Sequence, residues 1–324
     1  MTATTPPYAW LDGRLVPWDQ CLVHARSQGA FWGANVFEGI RVYTGDDERL
    51  YAFRVQDHLE RLWRSMKSLR MEIAYTPEEL ARACSDLVLA NDFGTDAHVC
   101  VVGYFGMGPN FDPMTTTVET GVHITSTPVP RSLAHDRGVA ACISSWRRIS
   151  DDAMPPRIKA GANYHNSRLA HHEALRNGYD TTLLLNARGT VSEAPGSCVV
   201  MVRDGELVTP PGTSGVLEGL TVDTVATLAQ EHLGLPLRRR EIDRTELYVC
   251  DELFLCGTMS ELLPITSIDR ITVGDGRPGP LTQALQRHYD DAVRARGKHP
   301  EWCTPVTADT ASPAGPAAPG GSAA

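Results

Sequence analysis

Thr127-Pro128-Val129-Pro130-Arg131 divides this chain of 324 residues. Two prolines so close together resist both helix and central strand. At about 150 residues per domain, the length already suggests two units. The expected division is residues 1–127, a linker over 128–136, and a larger unit over 137–306. Residues 307–324 are Ala, Pro, Gly, Ser and Thr with one Asp. Such a tail cannot offset its ordering entropy and is expected to be disordered.

Before the linker, Leu50–Phe53 reads as a strand. Leu59, Leu62, Met66 and Leu69 recur at helical spacing, predicting a helix over 57–70. Thr76-Pro77-Glu78-Glu79 starts another helix, with Thr76 and Glu79 as a capping box, running to about Asn91. Residues 98–104 and 118–125 read as strands. Gly103, Gly106 and Gly108 lack the strand–helix setting of a dinucleotide fingerprint and read as a tight turn.

After the linker, strands are expected over 139–144, 181–185, 199–202 and 252–256, with a helix over 166–176 stopped by Asn177-Gly178. Asp204-Gly205 marks a hairpin. Val222, Val225, Ala226, Ala229 and Leu233 fall at helical spacing, closed by Gly234. A last helix carries Leu281, Leu285, His288, Ala292 and Val293. Strands outnumber a simple alternation, so the class is α+β, or α/β with much antiparallel sheet.

Composition narrows the function. Net charge is −9, and the one basic run, Arg238-Arg239-Arg240, is flanked by Glu241 and Asp243. That disfavours a nucleic-acid partner. No apolar run of about 18 residues suggests a membrane span. The eight cysteines show no zinc spacing, and residues 1–7 lack the pattern of a secretory signal. A cytoplasmic setting with free thiols is expected. His171-His172-Glu173 resembles a metal cluster, but adjacent helical residues diverge by about 100°. No metal is expected.

Several segments carry chemistry only in company. Lys159 lies in Arg157-Ile158-Lys159-Ala160-Gly161-Ala162-Asn163-Tyr164; its small neighbours allow partial burial, which would leave a nucleophilic neutral amine. Alone, a surface lysine is the plainer reading. Glu193 sits in a Gly/Pro-rich stretch, where a carboxylate could pair with a ring-nitrogen cation; alone, a turn carboxylate capping N–H groups is the plainer reading. Glu218-Gly219-Leu220-Thr221 precedes a helix whose N-terminus can hold an anion, although Thr221 can simply cap it. Gly257-Thr258-Met259-Ser260-Glu261 ends a strand in a turn that can face phosphate or carboxylate. Arg61 lies off its helix's apolar stripe, facing solvent by default or an anion in a cleft.

Taken in order with Val36-Phe37-Glu38-Gly39-Ile40-Arg41, His58-Leu59-Glu60-Arg61-Leu62 and Gly276-Arg277-Pro278-Gly279-Pro280, these segments resemble the branched-chain amino-acid aminotransferase family. The resemblance implies a two-domain fold-type IV architecture, mixed α/β, with pyridoxal 5′-phosphate between the domains, and a homodimer. It implies Lys159 as the catalytic residue, attached to the cofactor and moving a proton at the substrate Cα. It gives Glu193 to the pyridine nitrogen and Tyr164 to the phenolic oxygen. Arg61, Leu220, Thr221 and Thr258 would hold the phosphate, and Leu217 the ring face.

The pocket departs from the family pattern. The family carries an aromatic-x-Arg-Pro stretch where this chain has Ala97-His98-Val99-Cys100-Val101. Cys100 cannot replace a guanidinium fork, which puts glutamate in doubt as amino donor. Trp32 stands where the family has a smaller aromatic, and Met259-Ser260 where two alanines are common. Trp32, Phe37, Gly39, His98, Cys100 and Met259 are thus the expected substrate wall, with Arg131 as a substitute carboxylate partner. The expected activity is ping-pong amino transfer between a hydrophobic or specialised amino acid and a 2-oxo acid. An aminodeoxychorismate-type lyase and a non-catalytic cofactor-binding protein are the alternatives.

Overall fold

The capping box foreseen at Thr76 is present: Glu79 N donates to Thr76 Oγ1 (3.2 Å) and Thr76 N to Glu79 Oε2 (2.8 Å). The computed structural model describes residues 5–308, apart from 110, 111, 113, 114, 116, 117 and 131. Its first sheet is drawn from β1 (Tyr8–Leu11), β2 (Arg14–Pro17), β3 (Asn35–Thr44), β4 (Leu50–Phe53), β5 (Ala97–Phe105) and β6 (Thr120–Pro128). Between these lie α1 (Gln28–Phe31), α2 (Val55–Leu69) and α3 (Pro77–Asn91). Then come α4 (Ala134–Arg137), β7 (Val139–Arg147), α5 (Asn163–Arg176), β8 (Thr181–Leu185), β9 (Cys198–Arg203) and β10 (Glu206–Thr209). The remainder is α6 (Leu220–Leu228), β11 (Leu237–Arg239), β12 (Glu252–Gly257), β13 (Glu261–Ile268), β14 (Ile271–Thr272), α7 (Pro280–Val293) and β15 (Cys303–Pro305).

The first sheet has the order β15-β4-β3-β5-β6-β1-β2, and the second β11-β10-β9-β12-β13-β7-β8. In the second sheet β7 pairs parallel with both β8 and β13. Asp204 (φ 52°) and Gly205 (φ 74°) form the β9–β10 turn, both left-handed as the expected hairpin requires. The class is mixed α/β with much antiparallel sheet.

Three sequence expectations are corrected. β6 runs through Thr127 and Pro128, which pair with His98 and Ala97. Pro128 is tolerated because it is the strand's last residue. Gly103 is inside β5, opposite Val36, not in a turn. The strand foreseen from Val118 starts at Thr120. Of the expected tail, only residues 307 and 308 are among those described.

Ile40, Leu59, Leu62, Leu80 and Leu87 are buried between the first sheet and helices α2 and α3. A second core lies where α6 and α7 cover the other sheet, and Tyr43 and Phe53 of the first sheet enter it. Phe53 meets Tyr289 edge-on at 5.8 Å. The two sheets therefore share packing, and the cleft between them has fixed walls. Among the described residues, no helix is long and apolar enough to cross a membrane. Thr76→Ala removes one bond of the α3 cap, so it should lower unfolding free energy by about 1 kcal/mol. A urea midpoint would read this.

Candidate active site

Lys159 is held by its backbone before its side chain does anything. Its carbonyl accepts from Phe37 N on β3 (2.9 Å), and its N–H donates to Ser65 Oγ on α2 (3.2 Å). Two residues on, Gly161 N donates to the Asn35 side chain. The lysine loop thus continues the first sheet while facing the second. Lys159 Nζ lies 2.9 Å from Tyr164 Oη, with the rings of Phe37 and Tyr164 at 5.0 and 5.4 Å.

A cleft opens in front of this amine. Arg61, Lys159, Tyr164, Glu193, Leu217, Leu220, Thr221 and Thr258 all line it. These eight come from α2, the lysine loop, α5, three loops of the second sheet and the start of α6. No sequence spacing could have shown that they meet.

Arg61 is not a solvent-facing helical residue: it is 7% exposed. Its Nε and Nη2 donate to the two oxygens of Glu38 (2.7 and 2.8 Å), and Nη1 to the Glu218 carbonyl (2.8 Å). His58 Nδ1 lies 2.7 Å from Glu38 Oε2. Burial alone would raise the Glu38 pKa, but Arg61 and His58 outweigh it and hold it at about 2. Burial also lowers the His58 pKa, which favours a neutral ring donating to Glu38. Glu38 carries no role in the sequence reading. Its signal was a carboxylate inside an apolar run, matched by His58 and Arg61 one turn apart on α2.

Glu193 is buried. One oxygen meets Arg148 Nη2 (2.7 Å), and the other accepts from Leu217 N (2.9 Å). Burial raises its pKa against the pull of Arg148. Arg148 was missed, since Trp146-Arg147-Arg148 reads locally as surface. Opposite, α6 starts at Leu220 behind Gly219, with no side-chain cap. A Cβ on Gly219 would come 2.6 Å from Cys198 Sγ, so glycine keeps this backbone close to β9.

The wall residues are distributed differently. Phe37, Gly39 and Arg41 on β3 pair with Val102, Cys100 and His98 on β5, and share one sheet face. A Cβ at Gly39 would sit 2.5 Å from His98 Nε2. Burial, with Arg41 and Lys159 nearby, pushes the His98 pKa down to about 4, so the ring is neutral at pH 7. Burial pushes the Cys100 thiol up to about 11. Phe37 reaches the lysine, its ring 4.9 Å from that of Tyr164. Met259 is on the β12–β13 turn and half exposed; Trp32 is at the end of α1, also partly exposed, beside Phe31. None of Trp32, Phe37, Gly39, His98, Cys100 and Met259 lines the cleft in front of Lys159. Arg131 lies outside the described residues.

An amine beside a phenol, a buried carboxylate across the cleft, and an uncapped helix start beside a buried arginine suit an aromatic aldehyde carrying a phosphate. The Amino-transferase class IV family matches residues 35–268, and the chain belongs to it. The branched-chain-amino-acid aminotransferase of Escherichia coli K12 is 37% identical over 295 residues, 89% of this chain and 94% of that one. The crystal structure of branched-chain amino acid aminotransferase from Thermobaculum terrenum in its PLP form is 44% identical, with TM-score 0.88, covering 94% of this chain and 99% of that chain. The branched-chain aminotransferase of Thermoproteus uzoniensis with norvaline is 39% identical, with TM-score 0.88, covering 93% and 100%.

Proposed function

We propose that this chain transfers amino groups between a hydrophobic, branched-chain-like amino acid and a 2-oxo acid, as a homodimer in the cytoplasm. It is a pyridoxal-phosphate-dependent aminotransferase of fold-type IV, and that activity fits better than the lyase. The observation that carries the reading is the Lys159 amine, set against Tyr164 and facing Glu193 across one cleft. We also assign residues 1–127 and 137–306 to two domains, joined by 128–136.

Pyridoxal 5′-phosphate, when bound, supplies the electron sink that acidifies the substrate Cα–H. Arg61, the N–H groups of Leu220 and Thr221, and the Thr258 hydroxyl would hold its phosphate. Glu193 would hold a proton on the ring nitrogen, Tyr164 would hydrogen-bond the phenolic oxygen, and Leu217 would cover the ring. Lys159 would take the proton from the substrate Cα. The Thr258–Met259 turn meets the α-carboxylate. Glu261 (φ 46°) closes that turn in a left-handed conformation, strained for glutamate.

Phe37, Gly39, neutral His98 and Cys100 would form the side-chain wall, with Trp32 and Met259 at its margin, and Arg131 would be a substitute carboxylate partner. This wall suits an apolar side chain. Its cation, Arg41, is already 3.5 Å from Glu261. L-Leucine added without a 2-oxo acid should therefore bleach the visible band of the bound cofactor. An unmoved band would sink the branched-chain reading while leaving the cofactor site intact. L-Glutamate should serve with kcat/KM about 10- to 100-fold below leucine, the worth of one absent charge-assisted fork. Parallel steady-state assays with one 2-oxo acid would measure it.

A further inference from the structure

Arg41 is the cation of the proposed side-chain wall. It stands on β3 two residues beyond Gly39, on the same sheet face, and pairs across the strands with His98. The residue is 3% exposed, yet its guanidinium is loosely held. The hydrogen bond it makes among the described residues runs from Nη2 to the Val129 carbonyl, at 3.3 Å. Its Nε is buried and has no partner among them. Asp96 lies 3.9 Å from Nη2 but is committed elsewhere, accepting from Thr44 N (2.9 Å) and pairing with Arg294 Nη2 (3.2 Å). The nearer counter-charge is Glu261, whose Oε1 lies 3.5 Å from Arg41 Nη2.

Glu261 opens β13 at the end of the turn that carries Thr258 and Met259, so its carboxylate joins that turn to β3. The turn has other supports. Ser260 Oγ lies 2.5 Å from Ser197 Oγ, and the Ser260 carbonyl faces His135 Nε2 at 2.8 Å. Neither contact uses the Glu261 side chain, so neutralising that side chain leaves the turn held. What changes is charge. Paired with Glu261, Arg41 offers little net charge, and a second carboxylate entering beside it meets a like charge. With Glu261 neutral, the same guanidinium is a buried cation with an idle N–H, well suited to take a carboxylate.

We propose that Glu261 selects against dicarboxylic substrates by occupying Arg41 with its own carboxylate. This role rests on the wall proposed above. The chain lacks a guanidinium on β5, and it keeps the one on β3 neutralised. An apolar side chain such as that of leucine needs nothing from Arg41, whereas the side-chain carboxylate of glutamate must compete with Glu261 for it. The two amino acids share the α-carboxylate, and hence the Thr258–Met259 turn. Damage to that turn therefore cancels in the ratio of their kcat/KM values, which reads the wall alone.

The ratio of kcat/KM for L-glutamate to that for L-leucine is measured with one 2-oxo acid for the wild-type, Glu261→Gln and Arg41→Met/Glu261→Gln holoenzymes. Glu261→Gln should raise the ratio about 10- to 100-fold, the worth of one buried charge-assisted hydrogen bond. The Ki of glutarate should fall with it, relative to that of 4-methylpentanoate, which has one carboxylate. The double variant should return both to the wild-type range. A Glu261→Gln ratio at or below the wild-type value, or a gain that survives in the double variant, overturns the proposal. So does a wild type that uses glutamate as readily as leucine. If Glu261→Gln does not retain cofactor, Glu261→Asn, which tolerates the left-handed backbone at this position, carries the same comparison. A wild-type cofactor band unmoved by leucine defeats the wall itself, and this role with it. Leucine turnover with an unmoved ratio defeats only the role of Glu261.

Discussion

Lys159→Ala should lower transaminase kcat by about four orders of magnitude, the upper range for loss of a positioned acid–base group. The fold should survive. The bonds from Phe37 N and to Ser65 Oγ use backbone atoms, which alanine retains. What disappears is the amine beside the Tyr164 phenol, with its contacts to two ring faces. The variant should still bind cofactor through the phosphate contacts, without the covalent link. Single-turnover assays with leucine would measure the loss, and circular dichroism the retained fold. Turnover near wild type would remove Lys159 from the reaction.

Glu38→Gln should destabilise the protein by about 3–5 kcal/mol, the range for breaking a buried ion pair from one side. Glutamine leaves the Arg61 guanidinium buried without its counter-charge, facing a side chain with one acceptor where there were two. Cofactor affinity should fall as well, because the bidentate carboxylate sets the Arg61 plane. The pH dependence has a definite sign. The folded-state carboxyl is held at about 2 against an ordinary 4.5, so its stabilisation is complete above about 4.5. It is lost as the pH falls toward 2. The stability gap between variant and wild type should therefore be flat from pH 5 to 8 and narrow below. Urea unfolding at several pH values would measure it, and cofactor titration the affinity. A gap that widens below pH 4.5 would contradict the pairing.

Local chemistry was legible; convergence was not. Thr76 with Glu79, and Asp204 with Gly205, act within four residues of themselves, and both appear as read. β3 was missed as a ten-residue strand. Both of its faces are largely covered, so the alternation that marks a half-exposed strand is absent. Glu38 and Arg41 inside it further blur an apolar run. Arg61 was read as facing water because its partner lies 23 residues away on another element. Family resemblance supplied the residues of the cofactor cleft, where the isolated fragments favoured plainer readings. It could not supply Arg148 behind Glu193, or the bracing of Ser260 by His135, which are set by tertiary packing.

β15 gives the chain an order of assembly. Cys303, Thr304 and Pro305 pair with Phe53, Ala52 and Tyr51, so the border of the first sheet is closed by residues translated some 250 positions later. On the ribosome, β4 waits with one side unpaired until these three residues emerge. An open border of this kind is a template for another chain. A nascent molecule stalled before residue 303 would hold most of its catalytic cleft and still lack the strip that seals its oldest sheet.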